Sequence, residues 1–278
     1  MDQLGRRGRG CVGRDRAARR GGGPVTPLDM GRRAPVGLPE VLAEAPATVR
    51  VDRKYIVPLE AAQEFVDGLP EEFRVLEIDG RRWTSYRSTY FDTDDLLTCR
   101  AHVQRRRRRW KFRSRLYVED ALARLEVKVQ DGSGLTRKYF HQIDVDDHGR
   151  VSDRGRAFLG QQLEEAGFVD VGPVGPVVDV GYRRATLAAP GAGHRATIDH
   201  GVRCERNGRV VELDHGHVIV ETKGGMVPGP ADTLLRDLGQ RPRSFSKYVA
   251  SVSLTESGIA DNDIRRLVGR ELHVREVA

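Results

Sequence analysis

Basic residues alternate with apolar ones along one stretch of the chain, and this pattern is the first that could do chemistry. Residues 105–117 read Arg-Arg-Arg-Arg-Arg-Trp-Lys-Phe-Arg-Ser-Arg-Leu-Tyr. In an extended strand, side chains two residues apart share a face, so Lys111, Arg113 and Arg115 point one way and the aromatic residues between them point the other. Such a strand buries its apolar face and presents its cations to a polyanion.

Four more segments carry charges on alternate residues, and here cations are mixed with acids. They are Arg50, Asp52 and Lys54; Glu126, Lys128 and Gln130; Arg195, Thr197 and Asp199; and Ile219, Glu221 and Lys223. For a single strand, the ordinary interpretation is a charged face turned to solvent. The alternative is that the charged faces converge inside a barrel. An empty lumen of that kind is costly, but one filled with water, a polyphosphate and a divalent cation is not.

The elements that must position these residues are mostly strands. Period-two patterns predict strands at 49–57, 83–92, 107–118, 122–130, 136–140, 177–187, 194–200, 209–213 and 217–223. Helices are predicted at 58–69, 152–166, 231–238 and 246–254. Many amphipathic strands with few helices favour an α+β fold built on an antiparallel barrel.

Composition indicates how the chain is divided and in which compartment it is expected. Residues 1–46 hold nine arginines against five acids, which is +4 of the net charge of +7, and they are interpreted as a disordered Arg/Gly-rich extension. The domain is predicted at 47–256 and a helical tail at 257–278. The three cysteines suggest no disulfide framework and favour a cytoplasmic protein. No apolar run approaches the ~18–20 residues that span a bilayer, so no direct membrane insertion is expected.

Eight segments resemble, in the same order, the motifs of the VTC-type polyphosphate polymerases, within the triphosphate tunnel metalloenzyme (CYTH-like) superfamily. They are Arg50 to Tyr55, Tyr86 to Thr93, Lys111 to Arg115, Leu125 to Lys128, Tyr182 to Arg184, Arg195 to Asp199, Ile219 to Lys223 and Phe245 to Tyr248. The resemblance covers residues 49–254, and eight motifs in one order are a specific match. One position departs from the pattern: Asp52 stands where the family usually has Glu.

The resemblance implies an eight-stranded antiparallel β-barrel with flanking helices, in which basic residues line a tunnel for a phosphate chain. It also implies Mn²⁺ or Mg²⁺ as cofactor, with Glu221 as the main ligand and Glu126 as a second one. The implied catalytic residues are Lys54, Arg113, Arg115, Lys128 and Lys247, and the implied phosphate-binding residues are Arg50, Lys111, Lys138, Arg184, Arg195 and Ser246.

The expected function is a transferase that makes polyphosphate from the γ-phosphate of ATP, so ATP and polyphosphate are the expected partners. Phosphoryl transfer depends mainly on positioning and charge stabilisation, which such a tunnel supplies. The sequence contains no Gly-x4-Gly-Lys-Ser/Thr loop. Two alternatives stay open: hydrolysis of triphosphate in the same tunnel, and non-catalytic binding of polyphosphate or, through the basic tail, of nucleic acid. The sequence leaves the oligomeric state open.

Overall fold

The computed structural model describes residues 28–43, 51–132, 136–169, 171–259 and 261–277. Within them the chain forms an α+β fold around one large sheet. The strands are β1 (Pro35–Val36), β2 (Val51–Pro58), β3 (Arg74–Leu76), β4 (Thr84–Asp92), β5 (Arg109–Tyr117), β6 (Leu122–Gln130), β7 (Thr136–Ile143), β8 (Gly175–Ala189), β9 (His194–Arg206), β10 (Arg209–Leu213), β11 (His217–Gly224) and β12 (Leu272–Glu276). The helices are α1 (Leu38–Ala43), α2 (Leu59–Gly68), α3 (Leu97–Val103), α4 (Asp153–Glu165), α5 (Pro230–Asp237), α6 (Lys247–Thr255) and α7 (Asn262–Arg265), with a 3₁₀ turn at Val145–Asp147.

Eight strands follow one another through antiparallel ladders, in the order β2–β11–β9–β8–β4–β5–β6–β7. Strand β9 belongs to two ladders, because residues 195–199 pair with β11 and residues 203–206 pair with β10. Strand β12 extends the second branch, and β3 joins β8 and carries β1. The eight-strand path contains every segment with alternating charges.

The predicted closed barrel is corrected by this topology. Strands β2 and β7 are the two ends of the path, and no ladder joins them in the part of the chain that the structure describes. The free edge of β2 is used in another way: the backbone nitrogen of Arg243 donates to the carbonyl of Lys54 at 2.7 Å. The ends nevertheless approach each other, since Lys128 Nζ on β6 lies 3.5 Å from Asp52 Oδ2 on β2. The sheet is therefore curled but open.

The sheet has an outer apolar face and a divided inner face. On the outer face, α2 and α5 pack against β2, β8, β9 and β11, and α4 packs against β5 and β6. In β6 every second residue is buried from Ala123 to Val129, as the alternation of the sequence predicts. On the inner face, α6 and α3 cover an apolar half formed with β8, β10 and part of β4. The other half of the inner face carries the charges.

The predicted disorder of residues 1–46 is wrong for 28–43. This segment contains α1 and β1, which pairs in parallel with β3, and it buries Leu28 and Val41. The Arg33 guanidinium donates to backbone carbonyls at the end of α2, among them that of Pro70 at 3.0 Å. Gly and Pro residues interrupt the apolar residues of the segment, so they show no sustained period in the sequence. Residues 1–27 and 44–46 lie outside the described residues.

The segment after α6 is helical only in its first part. The prediction was a helical tail over 257–278, but α7 is a single turn and β12 pairs with β10 through five registered positions, from Arg209↔Glu276 to Leu213↔Leu272. The exposed edge of β10 offers hydrogen-bonding groups, and this pairing outweighs the weak helical pattern of the segment. None of the described helices is long and apolar enough to cross a bilayer.

Candidate functional site: a charged inner face

The charged half of the inner face is built from alternate residues of the eight strands, together with the first residues of α6. Paired residues of neighbouring strands share a face, so the registers Arg113↔Glu126, Lys128↔Lys138 and Lys54↔Glu221 place these side chains on one surface. Cations outnumber carboxylates on this surface. It divides into two groups, which we call the arginine side and the lysine side.

The arginine side begins with a carboxylate held by two guanidinium groups. Arg113 Nε donates to Glu126 Oε2 at 2.8 Å, and Arg115 Nη1 lies 3.5 Å from Glu126 Oε1. Arg113 also donates to the Tyr90 hydroxyl at 2.7 Å. Burial disfavours ionisation of Glu126, but the two arginines outweigh it and lower the pKa of Glu126 to about 2. This carboxylate is therefore ionised and already satisfied by the protein.

The arginine side continues with a second buried carboxylate. Arg184 forms a bidentate pair with Asp199, at 2.6 Å and 2.8 Å, and the Lys247 ammonium also donates to Asp199. Burial opposes ionisation of Asp199, but Arg184 and Lys247 lower the pKa of Asp199 to about 2. The Lys247 ammonium lies 4.5 Å from the centroid of the Tyr182 ring. These cations are fixed in place by partners on two sides.

The lysine side has a pair of carboxylates that share one lysine. Lys223 Nζ contacts Glu221 and lies 3.6 Å from Asp52 Oδ1, while Lys128 contacts the other oxygen of Asp52. Burial opposes ionisation of Glu221, but Lys223 and then Lys54 hold the pKa of Glu221 well below its usual range. Burial likewise opposes ionisation of Asp52, but Lys223 outweighs it and lowers the pKa of Asp52. Both carboxylates are therefore anionic, and both contact Lys223.

The lysines of this side repel one another. Burial and then Lys128 and Lys54 hold the pKa of Lys111 well below its usual value, and Lys111 donates to the Ser246 hydroxyl at 3.0 Å. Lys138 is exposed on the edge strand β7, yet desolvation by its neighbours, followed by Lys223 and Lys128, lowers the pKa of Lys138 to about 8. A polyanion placed among these lysines would relieve this repulsion.

A family model for the VTC domain matches residues 49–256 of this chain. The chain belongs to the VTC domain family. The match includes the eight-strand path and α6, and it leaves α1 and β12 outside. All the arginine-side and lysine-side residues therefore lie within the VTC domain.

Solved structures give weaker likenesses. A Hippeastrum protein described as a proposed adenylyl cyclase with a dominant triphosphatase activity is 18% identical, with a TM-score of 0.46, and the match covers 74% of this chain and 96% of that chain. A proposed adenylate cyclase of Vibrio parahaemolyticus is 14% identical, with a TM-score of 0.40 and coverage of 74% and 99%. A conserved hypothetical protein of Pyrococcus furiosus is 10% identical, with a TM-score of 0.35 and coverage of 72% and 99%. No curated protein sequence matches the chain.

Most of the residues predicted from the sequence lie together on the inner face of the VTC domain. Two need separate mention. Arg195 is the register partner of Lys223 and so shares the inner face, and its guanidinium donates to the carbonyl of Val41 in α1. Arg50 lies outside the described residues. The roles assigned to all of these residues remain predictions.

Sequence reasoning did not select several inner-face residues of the VTC domain. Lys223 shares the face of Glu221 and contacts both carboxylates of the lysine side, so its parity was a usable signal. Arg124 shares the face of Glu126 and pairs in register with Arg115. The tyrosines that surround the arginines were also missed, because tyrosine is common in strands of any function.

Three carboxylates of the inner face have the chemistry to hold a divalent cation, and the predicted pair of Glu221 and Glu126 stays a prediction. Glu221 and Asp52 both contact the single ammonium of Lys223, and Glu126 contacts the two guanidinium groups of Arg113 and Arg115. The described residues contain no group of three His, Cys, Asp or Glu that could hold a metal by themselves. One or two carboxylates, completed by substrate phosphates and water, are the usual setting of Mg²⁺.

Proposed function

We propose that this VTC domain is a metal-dependent phosphoryl transferase that makes inorganic polyphosphate from the γ-phosphate of ATP. The observation that carries the proposal is the excess of mutually repelling cations on one partly enclosed face. Lys111, Lys138 and Lys54 all have a lowered pKa, with desolvation as the main cause. A phosphate chain would supply the missing negative charge along the whole face.

The two sides take different parts in the proposed reaction. The arginine side, with Arg113, Arg115 and Arg184 locked by hydrogen bonds, holds phosphate oxygens in a fixed geometry and stabilises charge as it moves between them. Lys247 and Ser246, at the start of α6, face the same space, and the Ser246 side chain makes no capping hydrogen bond to its own helix. An anion there would also meet the positive end of the helix dipole.

The lysine side would hold the metal and the phosphates between which the phosphoryl group is transferred. Glu221 and Asp52 would hold Mn²⁺ or Mg²⁺, which when bound neutralises phosphate charge and orients phosphate oxygens. Lys54, Lys128 and Lys223 surround these carboxylates and keep them ionised. The acceptor is the terminal phosphate oxygen of a growing chain, which is anionic and needs no protein base.

Incubation of the purified full chain with ATP and Mn²⁺, followed by sizing of the phosphate products on a gel, tests the proposal. A ladder of polyphosphate accompanied by ADP is the expected result. Orthophosphate without polymer would instead assign triphosphate hydrolysis to the same residues. Binding of inorganic triphosphate without any turnover would leave a non-catalytic phosphate-binding protein and would overturn the proposal.

A further inference from the structure

A row of aromatic rings and one guanidinium crosses five adjacent strands of the inner face. Tyr86 on β4 stacks on Tyr182 on β8, with centroids 5.2 Å apart and planes 6° apart, and its other neighbour is Tyr117 on β5 at 5.0 Å. Arg124 on β6 continues the row, with its Cζ 5.7 Å from the Tyr117 centroid and 5.1 Å from that of Phe140 on β7. The Tyr117 ring is tilted by 57° to Tyr86, so Tyr86 and Tyr182 are stacked and Phe140 is the last member of a row of ring and guanidinium contacts.

Phe140 is on the charged face and yet remains in water. Its register partner is Glu126, which fixes its side of the sheet, while Tyr139 and Ile143 pack against the apolar cluster that contains α4 on the opposite face. The Phe140 residue is 66% exposed even with Arg124 beside it, because β7 is the edge of the path. Single exposed apolar residues are common. Phe140 differs from these by ending a row of aromatic and guanidinium contacts beside Lys138.

We propose that Phe140, supported by Arg124, stacks the base of the nucleoside triphosphate whose phosphates bind the inner face. This inference rests on the proposed function and names a nucleobase site that the function itself does not require. Phe140 lies two residues beyond Lys138 on the same face, roughly 7 Å along the strand, a distance that a ribose can bridge. The free side of the ring would extend the row by one more ring.

The chemistry of this site predicts a general preference for bases rather than recognition of one base. Stacking on an aromatic ring is tolerant of base identity, because every base has a π-face. A guanidinium next to the ring adds a favourable cation–π contribution. ATP and GTP should therefore bind with similar affinity, and inorganic triphosphate should be insensitive to changes at Phe140.

Calorimetric titration of the full chain with ATP, GTP and inorganic triphosphate, each with Mn²⁺, tests the inference. Phe140→Ala should weaken ATP and GTP about fivefold, the low end of a stacking contribution, and leave inorganic triphosphate unchanged. Phe140→Trp should retain nucleotide affinity. Val169→Ala, which changes an exposed apolar residue at 81% exposure away from this face, is the matched control and should alter no affinity.

The outcomes separate this inference from the proposed function. Equal weakening of ATP and inorganic triphosphate by Phe140→Ala, or no weakening of either, overturns the stacking site and leaves phosphate binding intact. A more than tenfold preference for ATP over GTP also overturns it, since stacking alone cannot supply that. If the wild-type chain binds none of the three ligands, the proposed function fails and the stacking site fails with it.

Discussion

The arginine side and the lysine side carry the same sign of charge but are organised differently. On the arginine side, Arg113, Arg115 and Arg184 each have carboxylate or tyrosine partners within hydrogen-bonding distance, and aromatic rings lie beside them. On the lysine side, one ammonium is shared by two carboxylates, and Asp52 lies 3.5 Å and 3.6 Å from its two lysines. The arginine side is therefore held in place by contacts within the protein, whereas the lysine side has more cations than carboxylates to pair with them.

This difference follows from the chemistry of the two cations. A guanidinium is planar, always charged and able to bond two oxygens at once, so it can be fixed before a substrate arrives. An ammonium is a point charge on a flexible stem, and its pKa falls readily on burial. We therefore expect the arginine side to set geometry and the lysine side to respond to metal and pH.

The largest expected effect is the loss of metal-dependent activity when a carboxylate of the lysine side is neutralised. Glu221→Gln should lower Mn²⁺-dependent turnover by about 100-fold or more, because a neutral amide is a poor ligand for a divalent cation. It should also abolish the rise in Tm that Mn²⁺ gives the wild type. The readouts are initial rates with ATP and a thermal melt with and without Mn²⁺.

Glu126→Gln is the matched control for that experiment. Since Glu126 is bonded to Arg113 and Arg115, this variant should keep the Tm response to Mn²⁺. A variant at position 126 that loses the response while the variant at 221 keeps it would reverse the assignment of the two sides.

Replacing an arginine by lysine on the arginine side should weaken triphosphate binding more than replacing a lysine by arginine on the lysine side. Arg115→Lys keeps the charge but loses the fork that contacts Ser88, Tyr182 and Glu126, so the affinity for inorganic triphosphate should fall about tenfold. Lys128→Arg should change it by less than about threefold, because this side has no fixed geometry to lose. Calorimetric titration measures both. Equal losses in the two variants would remove the distinction.

Alkaline pH should affect the lysine side first. The pKa of Lys138 is lowered to about 8, so its positive charge is present below pH 8 and is lost as the pH rises through that value. The Kd for inorganic triphosphate should rise about two- to fivefold between pH 7 and pH 9 from this loss. Lys138→Arg should remove that part of the pH dependence, because arginine stays charged. An identical pH profile in the variant would contradict the assignment.

The smallest expected effect concerns the residue that departs from the family pattern. Asp52 keeps long contacts of 3.5 Å and 3.6 Å to its lysines, so the added methylene of Asp52→Glu should extend its reach toward the shared lysine and the metal. We expect the apparent Mn²⁺ affinity to increase by about two- to threefold, measured from the Mn²⁺ dependence of Tm. Weaker binding in this variant would mean that the shorter side chain is matched to the site.

The sequence predicted local structure well where its period was regular. Strands β5 and β6 and the segment of β11 that carries Glu221 were predicted from alternation, because a side-chain period of two is a property of the strand itself. Helix α3 was missed, since Leu96 directly before it has a positive φ of 58° and cannot cap it, and the first backbone N–H groups bond instead to Asp92 and Thr93, several residues earlier. The segment at 28–43 was missed because its order comes from contacts with α2 and β3.

The candidate site was likewise predicted from the sequence only in part. Parity alone put Arg113, Glu126 and Glu221 on charged faces, and the order of the motifs indicated the family. Which carboxylate pairs with which cation was decided by the tertiary structure. Arg113↔Glu126 and Lys54↔Glu221 are register partners across ladders, and the contact of Asp52 with Lys128 joins β2, one end of the path, to β6, next to the other end.

The sequence by itself determined that several strands have one apolar and one charged face, because alternation is local and needs no partner. Only the tertiary structure decided that these faces form one surface, that the sheet curls without closing, and that Phe140 ends a row of ring and guanidinium contacts at its edge. The physical reason is that register and curvature depend on contacts between residues distant in the chain, and the spacing within a strand carries no information about them.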